Sequence, residues 1–299
     1  MDPNYNQYAA QALMDQGYCD ARKSIHDAMP VVDFQLEDHR VVYVEQPRSW
    51  RITRTNSTEE QNFYVYGAIC RNELPPIKLS DATPSMKKKA IYLRQGVRIT
   101  GLRSNGFNDD AVSIKHVHEM MKTYLKKEDI EVKPWNLSMY EGHWAVDAST
   151  RYFTPRKHAP TEAGLAFDMG VDPDGVLAHM RGDDLIHTMD NKVDYLREVK
   201  NDNGTSTSRV VPSVFKVGDI VRATIAFIGV MHKDKAVAMT TVLRALTLIH
   251  DVQDVRNGPA EFIENDAEIA KIPVMKRRRV YDEDREVRQK MEDMTIHRE

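Results

Sequence analysis

Between Arg209 and Ile249 the hydrophobic positions fall into two runs separated by a short polar connector. After the turn pair Gly218-Asp219, apolar side chains recur at Val221, Ala223, Ile225 and Phe227, with Arg222 and Thr224 between them. A two-residue period is strand spacing, and polar residues at the intervening positions predict a half-buried strand of an antiparallel sheet. The connector Met231-His232-Lys233-Asp234-Lys235 has hairpin length, and Val237 to Ile249 is rich in Thr, Val, Leu and Ile. Together these predict a long β-hairpin.

Upstream, VVDFQLED, RVVYVEQ, WRITRT and FYVYGAI are short β-prone pieces divided by polar residues, and Ala90 to Leu102 predicts a further strand after the proline-containing stretch 75–89. The period changes to three and four at Ile114, Val117, Met121, Tyr124 and Leu125, which predicts an amphipathic helix over 110–127 with Asp109 and Asp110 at its N-terminus. A second helical pattern covers residues 5–16 and stops at Gly17. From Trp135 to Asp184 frequent Gly and Pro predict a long loop with short strands, and the polar run Lys200 to Ser208 a connection.

These patterns predict an α+β protein, mainly antiparallel β, with a barrel-like or sandwich core, one packed amphipathic helix and a charged C-terminal tail. Residues 1–29 read as an N-terminal helix or arm, 30–250 as a single β-rich core domain, and 251–299 as a tail, helical or disordered in part, because apolar residues thin out there. Division into two subdomains near 127–140 is the alternative. With 299 residues, 41% of them hydrophobic and 29% charged, the chain can bury a substantial core.

The formal net charge of −3 gives no global attraction to nucleic acid or membrane, so any such contact has to come from local patches. Cys19 and Cys70 are too few for a disulfide framework or a zinc cluster, and an intracellular, reducing location is expected. The N-terminal stretch lacks the basic start and apolar centre of a signal peptide, and no run approaches the roughly 18 apolar residues of a membrane helix. No membrane partner and no cofactor are expected.

The order HT-x-DN-x-V-x-Y over His187 to Tyr195, F-x-V-G-D-I-V-x-A over Phe215 to Ala223 and L-R-A-L-T-L-I over Leu243 to Ile249 resembles a group of uncharacterised proteins that recur in mushroom-forming fungi. The resemblance implies a fungal lineage and a repeated architecture; it assigns no activity to any residue.

Two segments interleave basic and aromatic residues: Arg48, Trp50, Arg51 and Arg54, and then Lys87, Lys88, Lys89, Tyr92 and Arg94. Aromatic faces stack on bases and cations neutralise phosphates, so these are the candidate nucleic-acid contacts of a non-enzymatic binding protein; the plainer reading is a solvated strand face. In the tail, Lys276, Arg277, Arg278 and Arg279 form a basic cluster of the kind a nuclear import receptor reads, so a nuclear or cytoplasmic location is expected, with nucleic acid or a nuclear protein as partner; the plainer reading is a solvated charge run.

The enzyme alternative rests on His179, Asp183, Asp184, His187 and Asp190, ligand types that could gather around a divalent metal. Their spacing matches no ligand signature, and Asp183 and Asp184 after Gly182 are equally explained as turn acids. His116 and His118 share a helix at i, i+2, which puts them on different faces. No nucleophile elbow, phosphate loop or dinucleotide fingerprint is present. A self-assembling structural protein is the remaining option.

Overall fold

The computed structural model describes residues 1–2, 4–20, 28–81, 83–168, 170–201 and 204–257. In chain order the elements are α1 (Gln7–Asp20), β1 (Ala28–Pro30), β2 (His39–Glu45), β3 (Arg48–Arg54), β4 (Asn62–Glu73), α2 (Pro84–Lys88), β5 (Arg94–Thr100), α3 (Asn105–Lys126), β6 (Ser138–Tyr140) and β7 (His143–Arg151). There follow β8 (Thr154–Pro155), α4 (Val176–Arg181), β9 (Leu185–Ile186), β10 (Asp194–Asn201), β11 (Gly204–Arg209), β12 (Ile220–Met231), β13 (Val237–His250) and α5 (Val252–Asn257).

The fold is α+β with a mainly antiparallel sheet, as the hydrophobic pattern predicts. An eleven-stranded sheet runs β11-β10-β13-β12-β4-β5-β7-β6, with β3 also pairing β12, β2 on β3, and β1 on β4. Only β1–β4 and β10–β13 are parallel among its pairings. The order has free ends, so this is not a closed barrel. The sheet instead curls over a sandwich-like core, bringing β7 back to β13 so that Thr150 Oγ1 donates to the Leu243 carbonyl.

The predicted hairpin is the centre of this sheet, β12 against β13 from Met231↔Val237 back to Ile220↔His250 with register shifts at two points. Its half-buried character is corrected by the structure: β12 is covered on both faces, because α1 and the tyrosines of β4 close over the side that carries Arg222. Arg222 is accommodated there by donating to Glu198 Oε2 at 2.6 Å and to Tyr66 Oη at 3.3 Å.

On the other side α3 lays Phe107, Ala111, Ile114, Val117, Met121 and Leu125 into the core. The helix begins earlier than the acid pair suggests. Ser104 is its N-cap, accepting from the Phe107 amide at 3.4 Å, and Asp110 is buried within the helix. At the entrance to α3 the backbone passes so close to Phe107 that a Cβ on Gly101 would sit 2.4 Å from that ring. Gly101→Ala is therefore expected to cost about 1–3 kcal/mol through overpacking, read as a lower urea midpoint at unchanged slope.

α1 runs through Gly17, past the predicted stop, because Gly17 lies flat against the Tyr66 ring. Ala10, Leu13 and Met14 pack on Ala68, Leu102, Ile220 and Val255. Val255 belongs to α5, so residues 252–257, inside the range read as tail, are docked on the core. Gly218, at φ +100, and Asp219 form the turn before β12. Asp219 accepts from the amides of Lys216 at 2.7 Å and Val252 at 2.9 Å, while Tyr5 Oη donates to the Gly218 carbonyl at 2.7 Å. The stretch expected to be a long loop contains the nine-residue strand β7, which pairs β5 along its length.

Candidate nucleic-acid interface

The two basic-aromatic segments have different fates. In β3 the side chains of Ser49 to Thr53 are all buried, leaving Arg48 and Arg54 exposed at the strand's ends. Trp50, only 6% exposed, packs at a tilt against Tyr43 with centroids 5.3 Å apart, and its ring faces the core rather than solvent. Arg54 Nε donates to Gln61 Oε1 at 2.9 Å.

Arg51 is committed to a buried ionic cluster. Its guanidinium spans Glu60 Oε2 at 3.0 Å and both carboxylate oxygens of Asp190 at 3.1 and 2.6 Å. Arg244, 1% exposed, donates to both Glu60 oxygens at 2.8 Å and to the Asp190 carbonyl at 2.7 Å. Two cations and two anions thus meet where β3, β13 and the turn 188–191 come together, and Glu162 adds to the negative field at Arg51. Burial alone would raise the Glu60 carboxyl, but Arg244 and Arg51 outweigh it and hold the group below the ordinary carboxylate range. Trp50 and Arg51, both expected at a nucleic-acid surface, serve the core instead.

The second segment is exposed. Lys87 and Lys88 end α2, Lys89 follows, Tyr92 closes a 3-10 turn at 65% exposure, and Arg94 opens β5. Thr83 starts this run by capping α2, its hydroxyl accepting from the Met86 amide at 3.3 Å. Among the described residues no carboxylate pairs with Lys87, Lys88, Lys89 or Arg94. Sequence reading missed what lies beside them: Arg151, at the last position of β7, stands directly opposite Arg94 in the β5–β7 register. Arg94 Nη1 donates to Ser149 Oγ at 3.3 Å. Desolvation against the sheet, followed by Arg151 opposite, holds the Arg94 guanidinium below its ordinary range.

The metal-ligand candidates do not converge. His179, Asp183 and Asp184 are exposed in and after α4, whereas His187 is buried with Nδ1 2.8 Å from the Tyr152 carbonyl and its ring 4.2 Å from Phe167. Burial, above all, lowers the His187 pKa. Asp190 is spent on Arg51 and Arg244. Among the described residues no three His, Cys, Asp or Glu side chains are placed to hold a metal ion. His187 lines a shallow cleft with Gln95, Phe167, Asp168, Lys192 and Val193. Gln95 is already engaged there by Tyr195 and by the Asn191 carbonyl.

Lys276 to Arg279 lie outside the described residues. No helix among the described residues is long and apolar enough to cross a membrane. No family model matches the chain and no curated protein is similar to it. Among solved structures, the chain is similar to gp2.5, a single-stranded DNA binding protein encoded by bacteriophage T7, at 9% identity and a TM-score of 0.38, over 69% of this chain and 99% of that one. So distant a likeness assigns no activity.

Proposed function

We propose that this protein is a non-enzymatic nucleic-acid-binding protein whose contact surface is the segment Lys87 to Arg94. The observation that carries this reading is the exposed Tyr92 set between Lys89 and Arg94, in a run of cations that no carboxylate neutralises among the described residues. An aromatic 65% open to water has an unused face, and bases stack on such faces irrespective of sequence. The neighbouring cations supply the phosphate attraction, which the whole chain, at −3, does not.

Phosphate neutralisation and stacking have separable signatures. Replacing Lys87, Lys88 and Lys89 together by Ala should flatten the dependence of log K on log salt by about 2, at about 0.7 for each single-strand phosphate left without its cation. Tyr92→Ala should weaken binding by about 1–3 kcal/mol with the slope retained. Fluorescence anisotropy across a salt series reads both; parental affinity and slope in both variants would reject the surface. We further propose a nuclear location through Lys276, Arg277, Arg278 and Arg279, tested by whether a large fluorescent fusion loses nuclear accumulation when the four are replaced by Ala.

A further inference from the structure

The outward face of β5 and β7 carries Arg94, Gly96 and Arg98 on one strand and Asp147, Ser149 and Arg151 on the other, in the registers Arg94↔Arg151, Gly96↔Ser149 and Arg98↔Asp147. The two ends of this face are balanced differently. Arg98 grips Asp147 through both oxygens, at 2.7 and 3.0 Å, and Ser138 Oγ also donates to Asp147. At the other end two arginines face each other, with Ser149 standing where a carboxylate would neutralise them. Like charges directly opposite across a pair of antiparallel strands destabilise it, so this arrangement costs stability for as long as no anion joins it.

Gly96 shapes the ground between the two ends. A Cβ there would lie 2.5 Å from the Ala148 carbonyl oxygen and 2.6 Å from Ser149 Cβ. The strands are therefore drawn together, and no side chain rises between Arg94 and Arg98. Gly96 itself is covered by its neighbours, with Ser149 on one side and Glu73 of β4, which is paired with Arg71, opposite it on the other. Two guanidinium groups and a hydroxyl thus stand together beyond it, two residues from the exposed Tyr92. Guanidinium donors match the fork geometry of a phosphate oxyanion. A duplex keeps its base faces within the stack, whereas a single strand can turn one base onto an aromatic ring while its backbone lies on cations.

Resting on the function proposed above, we infer that Arg94, Arg151 and Ser149 form the seat for one backbone phosphate of a single-stranded nucleic acid whose neighbouring base stacks on Tyr92.

The test uses the full chain and a fluorescein-labelled oligothymidylate of about 20 nucleotides, longer than one small binding site. Arg151→Gln should lower affinity about five- to tenfold at low salt and reduce the salt slope by about 0.7, the share of a single phosphate on a single strand. Ser149→Asp should abolish the seat by supplying the missing carboxylate. Both variants should melt at or above the parental temperature, since each relieves the opposition of Arg94 and Arg151; a lower melting temperature would overturn the claim that the pair is unbalanced. Parental affinity in Arg151→Gln, alongside weakened binding in the Lys87/Lys88/Lys89 variant, would overturn the seat and leave the wider reading standing. Absence of oligonucleotide binding by the parent would overturn both. A duplex of the same length competing as well as the single strand would overturn the single-strand assignment, and inorganic phosphate competing at matched ionic strength would show a free-anion site in place of a nucleic-acid one.

Discussion

Glu60→Ala is expected to destabilise the protein by about 3–5 kcal/mol, the cost typical of stripping one partner from a buried ion pair. Arg244 is 1% exposed and donates to both Glu60 oxygens, and Arg51 leans on the same carboxylate. Without Glu60, both guanidinium groups lose the carboxylate that they share, and the buried cluster carries one negative charge fewer. Urea unfolding followed by far-ultraviolet circular dichroism measures the loss; a change below about 1 kcal/mol, the range of exposed pairs, would mean that water reaches the cluster. The pH dependence has a definite sign. A carboxyl held low in the folded state contributes stability that is present above its unfolded value of about 4.3 and is lost as pH falls through the folded value. The parent should therefore lose its advantage over Glu60→Ala only at acid pH.

Asp110→Asn is expected to do the reverse and stabilise the protein in alkali. Asp110 lies in the interior of α3, accepting from the Val32 amide at 3.0 Å, with Tyr18 Oη 2.7 Å from its other oxygen. Burial, opposed by these hydrogen bonds and assisted by Asp109 and Asp33, pushes its pKa up to about 8. A neutral carboxyl suits the site: its hydroxyl donates to Tyr18 Oη, which is then free to donate to the Tyr66 carbonyl at 3.1 Å while accepting from the Tyr66 amide at 3.2 Å. Because the folded pKa is raised, the group's contribution is complete below its unfolded value of about 3.9 and is lost as pH rises through the folded value, at about 1.4 kcal/mol per unit. Asparagine keeps the shape and both hydrogen-bonding roles without the charge. The difference in stability between Asp110→Asn and the parent should grow from pH 5 to pH 8 and then level off. A constant difference over that range would show that Asp110 is ionised throughout.

The hydrophobic pattern made the hairpin β12–β13 and helix α3 legible because each carries its period in its own residues. The sheet's ordering was not legible, since β7 pairs β5 across an intervening helix and a strand's neighbours leave no mark in its own alternation. For the same reason Trp50 and Arg51 read like Tyr92 and Arg94: both segments alternate basic and aromatic residues. What separates them is distant chain. Glu60 and Asp190, themselves shared with Arg244, arrive from elsewhere to claim Arg51, and the Tyr43 ring and the core cover Trp50, whereas among the described residues Tyr92 stays 65% exposed. Arg151 was invisible because its significance lies in standing opposite Arg94, 57 positions away in the chain. Asp190, counted by its residue type among metal ligands, is one anion of an ionic cluster whose other members share no local motif with it.

The Gly218–Asp219 turn is the point where the two ends of the described chain are tied. Tyr5 hangs from its carbonyl, the first turn of α5 hangs from its carboxylate, and Arg256 reaches Asp2 at 3.2 Å. Chain ends are ordinarily the first parts of a domain to fray, each on its own account. Here α1 and α5 share both an anchor and the apolar seam of Leu13, Met14, Ile220 and Val255, so release of either one exposes the footing of the other. The two ends are therefore expected to open or stay shut together, as a single clasp.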